Sequence, residues 1–324
     1  MGEAACAEPL PLAAGDRLEW TDVPDRVRAA VEGHLGSPVL AAVNQRGGFS
    51  PGTAARVRCA DGTRAFVKAV GTELNPDSPG LHRTEAAVSA ALPSSAPVPR
   101  LRFSYDDGDW VALVFDEVAG RAPQEPWRAG ELHGVLAALV GLSATLTPCP
   151  LAVAPPLAER TREELTAYRR LAAHPPGHLS AWERDHLDEL AAVGESGQVL
   201  LAGDSLVHLD VRADNVLLGA DGGVWFVDWP WACRGAGWVD SAMLVLNAAT
   251  HGHDPESLVA AHPLLSVADP AALTALLVGL TGMFAECGWQ PAPPGLPTVR
   301  AFQRAQHRAA LAWVRRRWIA DTGR

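Results

Sequence analysis

The sequence predicts an α+β protein in two lobes: an N-terminal five-stranded antiparallel sheet carrying one helix, and a C-terminal lobe that is mainly helical. Three observations predict it. Short β-rich runs punctuated by turn residues fill the chain up to Val118, and helical periodicity dominates from Gly130 onward. A length of 324 residues, with 48% hydrophobic and 20% charged residues, supplies the core of a large two-lobed unit and excludes disorder over most of the chain.

Within residues 18–35, Pro24 stands near the start, Val27, Ala30, Val31 and Leu35 recur at helical spacing, and Gly36-Ser37-Pro38 is a stop. Residues 39–43 read as a strand, the glycine-rich run 46–53 as a turn, and residues 54–59 as a second strand. Asp61-Gly62 is a hairpin signal leading into a third strand at 63–70. A Pro- and Asp-rich loop at 75–80 precedes a helix over 81–92 that Pro93 ends. Strands at 101–105 and 110–118, joined by Asp106-Asp107-Gly108-Asp109, complete the five.

The lobe boundary is expected near 120–126, so residues 1–120 form the first lobe with an N-terminal helical extension and 121–324 the second. Helices are expected over 131–145, 158–171, 179–193, 240–249, 255–261, 270–285 and 298–319. Two strands among them, 215–218 and 224–228, flank Asp221-Gly222-Gly223 as a second hairpin. The Pro-rich stretch 291–297 is a connector.

Twenty-seven basic against 37 acidic residues, a net charge of -10, repel a phosphate backbone and argue against nucleic acid as partner. The five cysteines are scattered, odd in number and without a C-x-x-C pair, which suggests neither a disulfide framework nor a zinc site and fits a cytoplasmic location. Glu3, Glu8 and Asp16 stand where a signal peptide needs basic and apolar residues. The apolar stretch 271–285 is too short and too rich in Thr and Gly to span a bilayer, so it is expected as a buried helix with no membrane partner.

Chemistry concentrates in His208-Leu209-Asp210-Val211-Arg212-Ala213-Asp214-Asn215, an H-x-D-x-x-x-x-N arrangement just before the second hairpin. Thirteen residues after Asn215, at the end of an apolar strand, stands Asp228. Three oxygen-bearing side chains can thus converge at one hairpin, and hard oxygen donors suit magnesium. Upstream, Lys68 sits in a strand with apolar neighbours and is the single lysine of the chain, the other 26 cationic residues being arginine. An arginine-preferring sequence has kept a compact ammonium at this one position.

This block resembles the catalytic and metal-binding segments of the aminoglycoside phosphotransferase family, small-molecule relatives of the protein kinases, over roughly residues 40 to 245. The resemblance implies a protein-kinase-like two-lobed fold with a nucleotide cleft between the lobes. It implies Asp210 as the carboxylate at the acceptor hydroxyl, with Asn215 and Asp228 as magnesium ligands. Lys68 would neutralise the nucleotide phosphates, and Glu85, on the expected helix, would orient it. The turn 47–53 would lay backbone amides, at Gly48 for example, and the Ser50 hydroxyl over phosphates. Phe115 to Val118, Glu117 among them, occupy the place of the family's hinge and meet the base. His208 would hold the loop, and Asp240 would cap the next helix and support it.

The chain departs from the family pattern twice: Leu209 replaces the glycine of the usual His-Gly-Asp, and Asp228 is followed by Trp229-Pro230 rather than Phe-Gly. Neither removes a ligand. The implied activity is magnesium-dependent transfer of the γ-phosphoryl group of ATP or GTP to a hydroxyl of a small molecule, foremost an antibiotic such as an aminoglycoside or a nucleoside type. The alternatives are a metabolic kinase for an amino alcohol, nucleoside or sugar, and a nucleotide-binding pseudoenzyme. A monomer or homodimer is expected.

The acceptor itself is less legible. Arg300, Arg304, Arg308, Arg315, Arg316, Arg317 and Arg324 face Asp321 alone across the C-terminal segment, a face that would repel a polycation. Asp254, Glu256 and Glu286 are the acidic residues there that could serve a cationic acceptor, and the chain's 11 tryptophans, many in the second lobe, could stack on a flat or sugar-like one.

Overall fold

A computed structural model describes residues 13–45 and 47–322. Glu3, Cys6, Glu8, Arg46 and Arg324, on which sequence expectations bear, lie outside the described residues, as does the side chain of Asp321. Helix α1 (Asp25–Leu35) begins later than its periodicity suggests. Pro24 has no N–H with which to carry the helix back to Trp20, whose carbonyl instead accepts from Val23 at the end of a 3-10 turn. Gly36, at φ 76°, ends the helix in the left-handed conformation.

Strands β1 (Val39–Asn44), β2 (Thr53–Cys59) and β3 (Arg64–Gly71) form an antiparallel meander. Helix α2 (Ser78–Ala91) follows, then β4 (Leu101–Asp106) and β5 (Trp110–Phe115), which place the sheet in the order β1-β2-β3-β5-β4. Two-residue alternation sorts β3 between two environments. Ala65, Val67 and Ala69 pack with Val27 and Val31 of α1, while Phe66 packs with Leu113 and with Ala86 of α2. Lys68 shares the parity of Phe66 and is therefore delivered to the α2 side.

Short β6 (Gly120–Arg121) leaves the sheet and pairs with a hairpin far along the chain. Helix α3 (Ala129–Thr145) comes next, then four-residue α4 (Leu157–Arg160) and α5 (Arg162–Leu165), α6 (Ala167–Ala173), α7 (Ala181–Asp185) and α8 (Leu187–Ser196). The two long helices expected at 158–171 and 179–193 are thus broken, for a local reason. The hydroxyls of Thr161 and Thr166 donate to the carbonyls of Leu157 and Arg162, and the His186 ring bonds the carbonyl of Trp182. At Thr166 and His186 the side chain takes the carbonyl four residues back while the backbone N–H turns to Glu164 or Glu183, which interrupts the ladder; at Thr161 the hydroxyl shares the Leu157 carbonyl with the backbone N–H.

Beyond them lie β7 (Ser205–Val207), β8 (Val216–Gly219), β9 (Val224–Phe226) and β10 (Cys233–Gly235), with β8–β9 forming the expected hairpin and β7–β10 a pair without a turn signal between its strands. Helices α9 (Val239–Ala249), α10 (Pro255–Ala261), α11 (Pro270–Cys287) and α12 (Val299–Thr322) end the chain. α11 alone among the described helices is long and apolar enough to cross a membrane, and 72% of that window is buried inside the protein. Its core role follows from Leu276, Leu277 and Val278, all fully buried.

Candidate functional site

The junction between sheet and helices is built on charge. Lys68 Nζ donates to both Glu85 oxygens, at 2.8 and 2.7 Å, and to Asp228 Oδ1 at 2.9 Å. Sheet parity supplies the lysine, α2 the glutamate, and the turn after β9 the aspartate. Burial works against the Lys68 charge, but the Asp228 and Glu85 carboxylates outweigh it and hold its pKa above the usual lysine value. Burial would raise Asp228; Lys68 overrides it and brings the carboxyl down to about 2. Glu85 is pushed up by burial, with Lys68 opposing.

Beside this cluster runs the loop 208–215. Its frame is Asp240 at the start of α9, whose carboxylate accepts the backbone N–H of His208 at 2.8 Å and of Leu209 at 2.9 Å. The fully buried His208 ring bonds the carbonyl of Val227 through Nε2 and accepts the Asp210 N–H at Nδ1, which makes Nε2 the protonated nitrogen. His208 and Asp240 are thus supports, as expected. Leu209 takes φ 64° and Asp228 φ 70°, both in the left-handed region. That explains why glycine suits position 209.

Asp210 Oδ1 accepts from Arg212 Nη1 at 2.6 Å and Oδ2 from Asn215 Nδ2 at 3.0 Å, while the same amide nitrogen reaches the Asp210 carbonyl at 2.8 Å. Burial raises the Asp210 pKa to about 7; Arg212 opposes, and the Asp214 and Asp228 carboxylates add to the rise. Asn215 spends its amide nitrogen on Asp210, which leaves the amide oxygen as its remaining donor to a cation. Lys68 takes one Asp228 oxygen. One amide oxygen and one carboxylate are a fitting protein share for magnesium, which is commonly held by one or two carboxylates together with phosphates.

Two cavities meet here. The larger, about 880 Å³, is lined by Gly48 and Ser50 of the β1–β2 turn, by Lys68 and Glu85, by Phe115, Glu117 and Val118 after β5, and by Asn215 and Asp228. The smaller, about 350 Å³, runs into the helices and is lined by Asp210. Ser50, His82, Glu85 and Asp228 border both. Every site residue expected from the sequence is therefore at this junction. The Glu117 side chain is engaged with Arg64, at 2.6 Å, leaving backbone groups of 115–118 to meet a ligand edge.

The acidic residues considered for a cationic acceptor line neither cavity. Asp254 pairs with Arg316, Glu256 with Arg317 at 2.8 Å, and Glu286 with Arg170 at 2.6 Å. Arg300 and Arg304 fasten the 288–297 connector by bonding the carbonyls of Pro291 and Gly288.

Four residues near the reaction centre escaped the sequence. Arg212 bridges Asp210 and Asp214 and lies over the rings of Phe49 and Phe302. Arg17, outside the recognised segment, bonds the carbonyls of Gln45, Gly47 and Ser50 and so carries the turn from beneath. His82 donates from Nδ1 to Ser78, and burial, with Lys68 beside it, lowers its pKa to about 3. Phe302 stacks tilted on Phe49 at 5.0 Å, joining α12 to the turn. Arg212 sits inside the motif, the one signal that could have found it; the others meet the site through contacts that no local pattern announces.

The sequence matches the phosphotransferase enzyme family over residues 46–276. No curated protein matches it. Among solved structures, a thermostable mutant of aminoglycoside phosphotransferase APH(4)-Ia in ternary complex with AMP-PNP and hygromycin B is 16% identical, with a TM-score of 0.59 over 90% of this chain and 98% of that one. Choline kinase LicA from Streptococcus pneumoniae is 14% identical, with a TM-score of 0.59 over 89% and 99%. These similarities establish a protein-kinase-like fold. With the family match running from the glycine-rich turn into α11, the chain belongs to the phosphotransferase enzyme family.

Proposed function

We propose that the protein transfers the γ-phosphoryl group of ATP or GTP to a hydroxyl of a small molecule. The observation that carries this reading is the position of Asp210, on the smaller cavity and beside the cluster that borders the larger one. A nucleotide in the larger cavity and an acceptor in the smaller would meet between Asp210 and Asp228. A structural neighbour that forms a ternary complex with AMP-PNP and hygromycin B supports a nucleotide and a small molecule binding together.

Phosphoryl transfer asks a protein mainly for positioning and charge neutralisation. In this reading Phe115, Glu117 and Val118 receive the base through backbone groups, while Gly48 and Ser50 cover the phosphates. Lys68, oriented by Glu85, neutralises phosphate charge. Asn215 and Asp228 would hold magnesium, which when bound would supply neutralisation of the phosphate charge. Asp210 accepts the proton of the acceptor hydroxyl, and a pKa near 7 suits a base working at neutral pH. Arg212 fixes the rotamer of that carboxylate from one side and Asn215 from the other. A buried site strengthens each of these interactions.

The biological acceptor we favour is a hydroxylated antibiotic, with a metabolic alcohol as the second reading because choline kinase LicA shares the fold to the same degree. A cytoplasmic location accords with the free thiols of Cys59, Cys149, Cys233 and Cys287. The test is mass spectrometry of hydroxylated antibiotics, nucleosides and amino alcohols incubated with the protein, magnesium and ATP or GTP. Gain of one phosphoryl group on one acceptor supports the reading. Magnesium-nucleotide binding with no transfer to any of them favours a pseudoenzyme.

A further inference from the structure

The smaller cavity carries information about its occupant. One wall is a stripe on α11, Leu276, Leu280, Met283 and Phe284, spaced so that all four share one helix face. A second wall is Leu296 of the connector with Val299 and Phe302 of α12. Leu209, next to Asp210 in the chain, lines the cavity too, as do Met243 and Leu246 of α9. Polar lining away from the reaction centre is largely uncharged: Thr161, Asn247, Gln303 and Gln306.

Charge gathers at the end by Asp210. Arg212 is matched by Asp210 and Asp214. Lys68 takes Glu85 and Asp228. Beyond that end, the charged lining residues are Arg160 and Glu164. A polycation carries several ammonium groups, and burying each without a carboxylate is costly. Away from the Asp210 end, one glutamate and one arginine do not provide that set.

A quaternary ammonium would need open aromatic faces. Of the four lining aromatic rings, three, Trp231, Phe49 and Phe302, already face guanidinium groups, which leaves Phe284. Arg160 lies 4.6 Å over Trp231, and Arg212 lies 5.2 Å over Phe49 and 5.4 Å over Phe302. A cation brought against the same rings would meet like charge.

Leu209 adds an independent sign. A left-handed backbone at φ 64° disfavours leucine by about 1–2 kcal/mol relative to glycine-like freedom. The strained position nonetheless presents an apolar side chain to the cavity rather than none.

We infer that the acceptor is an uncharged, largely hydrocarbon alcohol, its hydroxyl placed at Asp210 and its body seated between α9, α11 and the start of α12. The inference rests on the phosphotransferase reading for the word acceptor, while the chemistry of the cavity stands on its own residues. Such an alcohol is preferred over polycationic sugars and quaternary amino alcohols, whose charges would lie against hydrocarbon walls. Neutral amides and the Thr161 hydroxyl serve the few polar groups such a molecule carries.

The test uses the neutral fluorophore N-phenyl-1-naphthylamine with the full chain, followed by competition with choline and hygromycin B. Saturable uptake of one dye per chain is expected. Leu296→Glu, in a half-buried connector outside any helix, should weaken uptake about tenfold or more, and Met283→Glu, on α11, should do the same. Fluorescent ADP with magnesium should bind both variants as it binds the parent, which shows that they are folded. Neither choline nor hygromycin B should displace the dye. Absence of uptake, uptake indifferent to both variants, or displacement by either cation overturns the inference. Dye binding as expected with no binding of magnesium-ADP would instead overturn the phosphotransferase reading and leave the apolar cavity standing.

Discussion

Lys68 and Asp228, 160 residues apart in the chain, meet at 2.9 Å, and their contact ties β3 to the turn after β9. The same ammonium holds Glu85, so one buried cation organises both carboxylates. Removing it by Lys68→Met leaves Glu85, 2% exposed, without its partner. Breaking a buried pair in this way costs about 3–5 kcal/mol. Urea denaturation should register that loss, and the double variant Lys68→Met/Glu85→Met should recover most of it. A double variant no more stable than the single would show that Glu85 is satisfied elsewhere. Lys68→Arg should not rescue nucleotide binding, because a planar fork does not fit a site shaped for one ammonium.

Arg17 supports the β1–β2 turn through the carbonyls of Gln45, Gly47 and Ser50. Its own backbone lies beside Gly52 in a parallel bridge, and neighbouring Asp16 bonds the carbonyl of Gly295 at 2.8 Å. The turn is thus held between the N-terminal segment and the 288–297 connector. Arg17→Ala should raise the KM for nucleotide about tenfold or more, in line with charged hydrogen bonds worth about 1.5–3 kcal/mol, with a smaller effect on kcat. Steady-state kinetics at saturating acceptor checks it; an unchanged KM would mean that the turn keeps its shape unaided.

Leu209→Gly separates strain from packing. A half-buried leucine deleted from a relaxed position would cost roughly 2–5 kcal/mol. At φ 64° the relief of about 1–2 kcal/mol offsets much of that cost. Calorimetry should find a loss at or below the lower end of that range, while affinity for N-phenyl-1-naphthylamine falls. A large loss of stability would show that Leu209 is there for the core.

Glu183 predicts the acid limb of stability. Burial alone would raise its pKa, but the His307 ring, the Ser180 N–H of the capping box and the Ser180 hydroxyl-capped turn bring it down to about 2. Tyr168 adds a hydrogen bond at 2.9 Å. A carboxyl depressed on folding contributes stability that is complete above its unfolded pKa and is lost as pH falls from about 5 toward 2, here on the order of 3 kcal/mol. The urea midpoint should therefore fall more steeply between pH 5 and 3 in the parent than in Glu183→Gln. Equal slopes would assign the acid transition to other groups.

How far the sequence reached follows from the range of each interaction. The five strands and the β8–β9 hairpin were legible because Asp61-Gly62, Asp106 to Asp109 and Asp221-Gly222-Gly223 act locally. Lys68 was legible through composition, as the one lysine among arginines, and Asp210, Asn215 and Asp228 through spacing. The breaks at Thr166 and His186 were not, since each depends on which carbonyl a side chain selects. Arg17, His82 and Phe302 join the site through tertiary contacts. The fate of Asp254, Glu256 and Glu286, each paired with an arginine away from the cavities, is settled by the same long-range geometry.

Asp210 is the point on which the account turns. The most direct measurement compares Asp210→Asn and Asp228→Ala for phosphoryl transfer by mass spectrometry and for magnesium-nucleotide binding by calorimetry, using an acceptor found for the parent protein. Asp210→Asn should lower transfer by about 10²–10⁴-fold while binding nucleotide as the parent does, and Asp228→Ala should lose binding as well as transfer. Transfer by Asp210→Asn at the parental rate, or equal loss of nucleotide binding in both variants, would contradict the roles assigned to these two carboxylates.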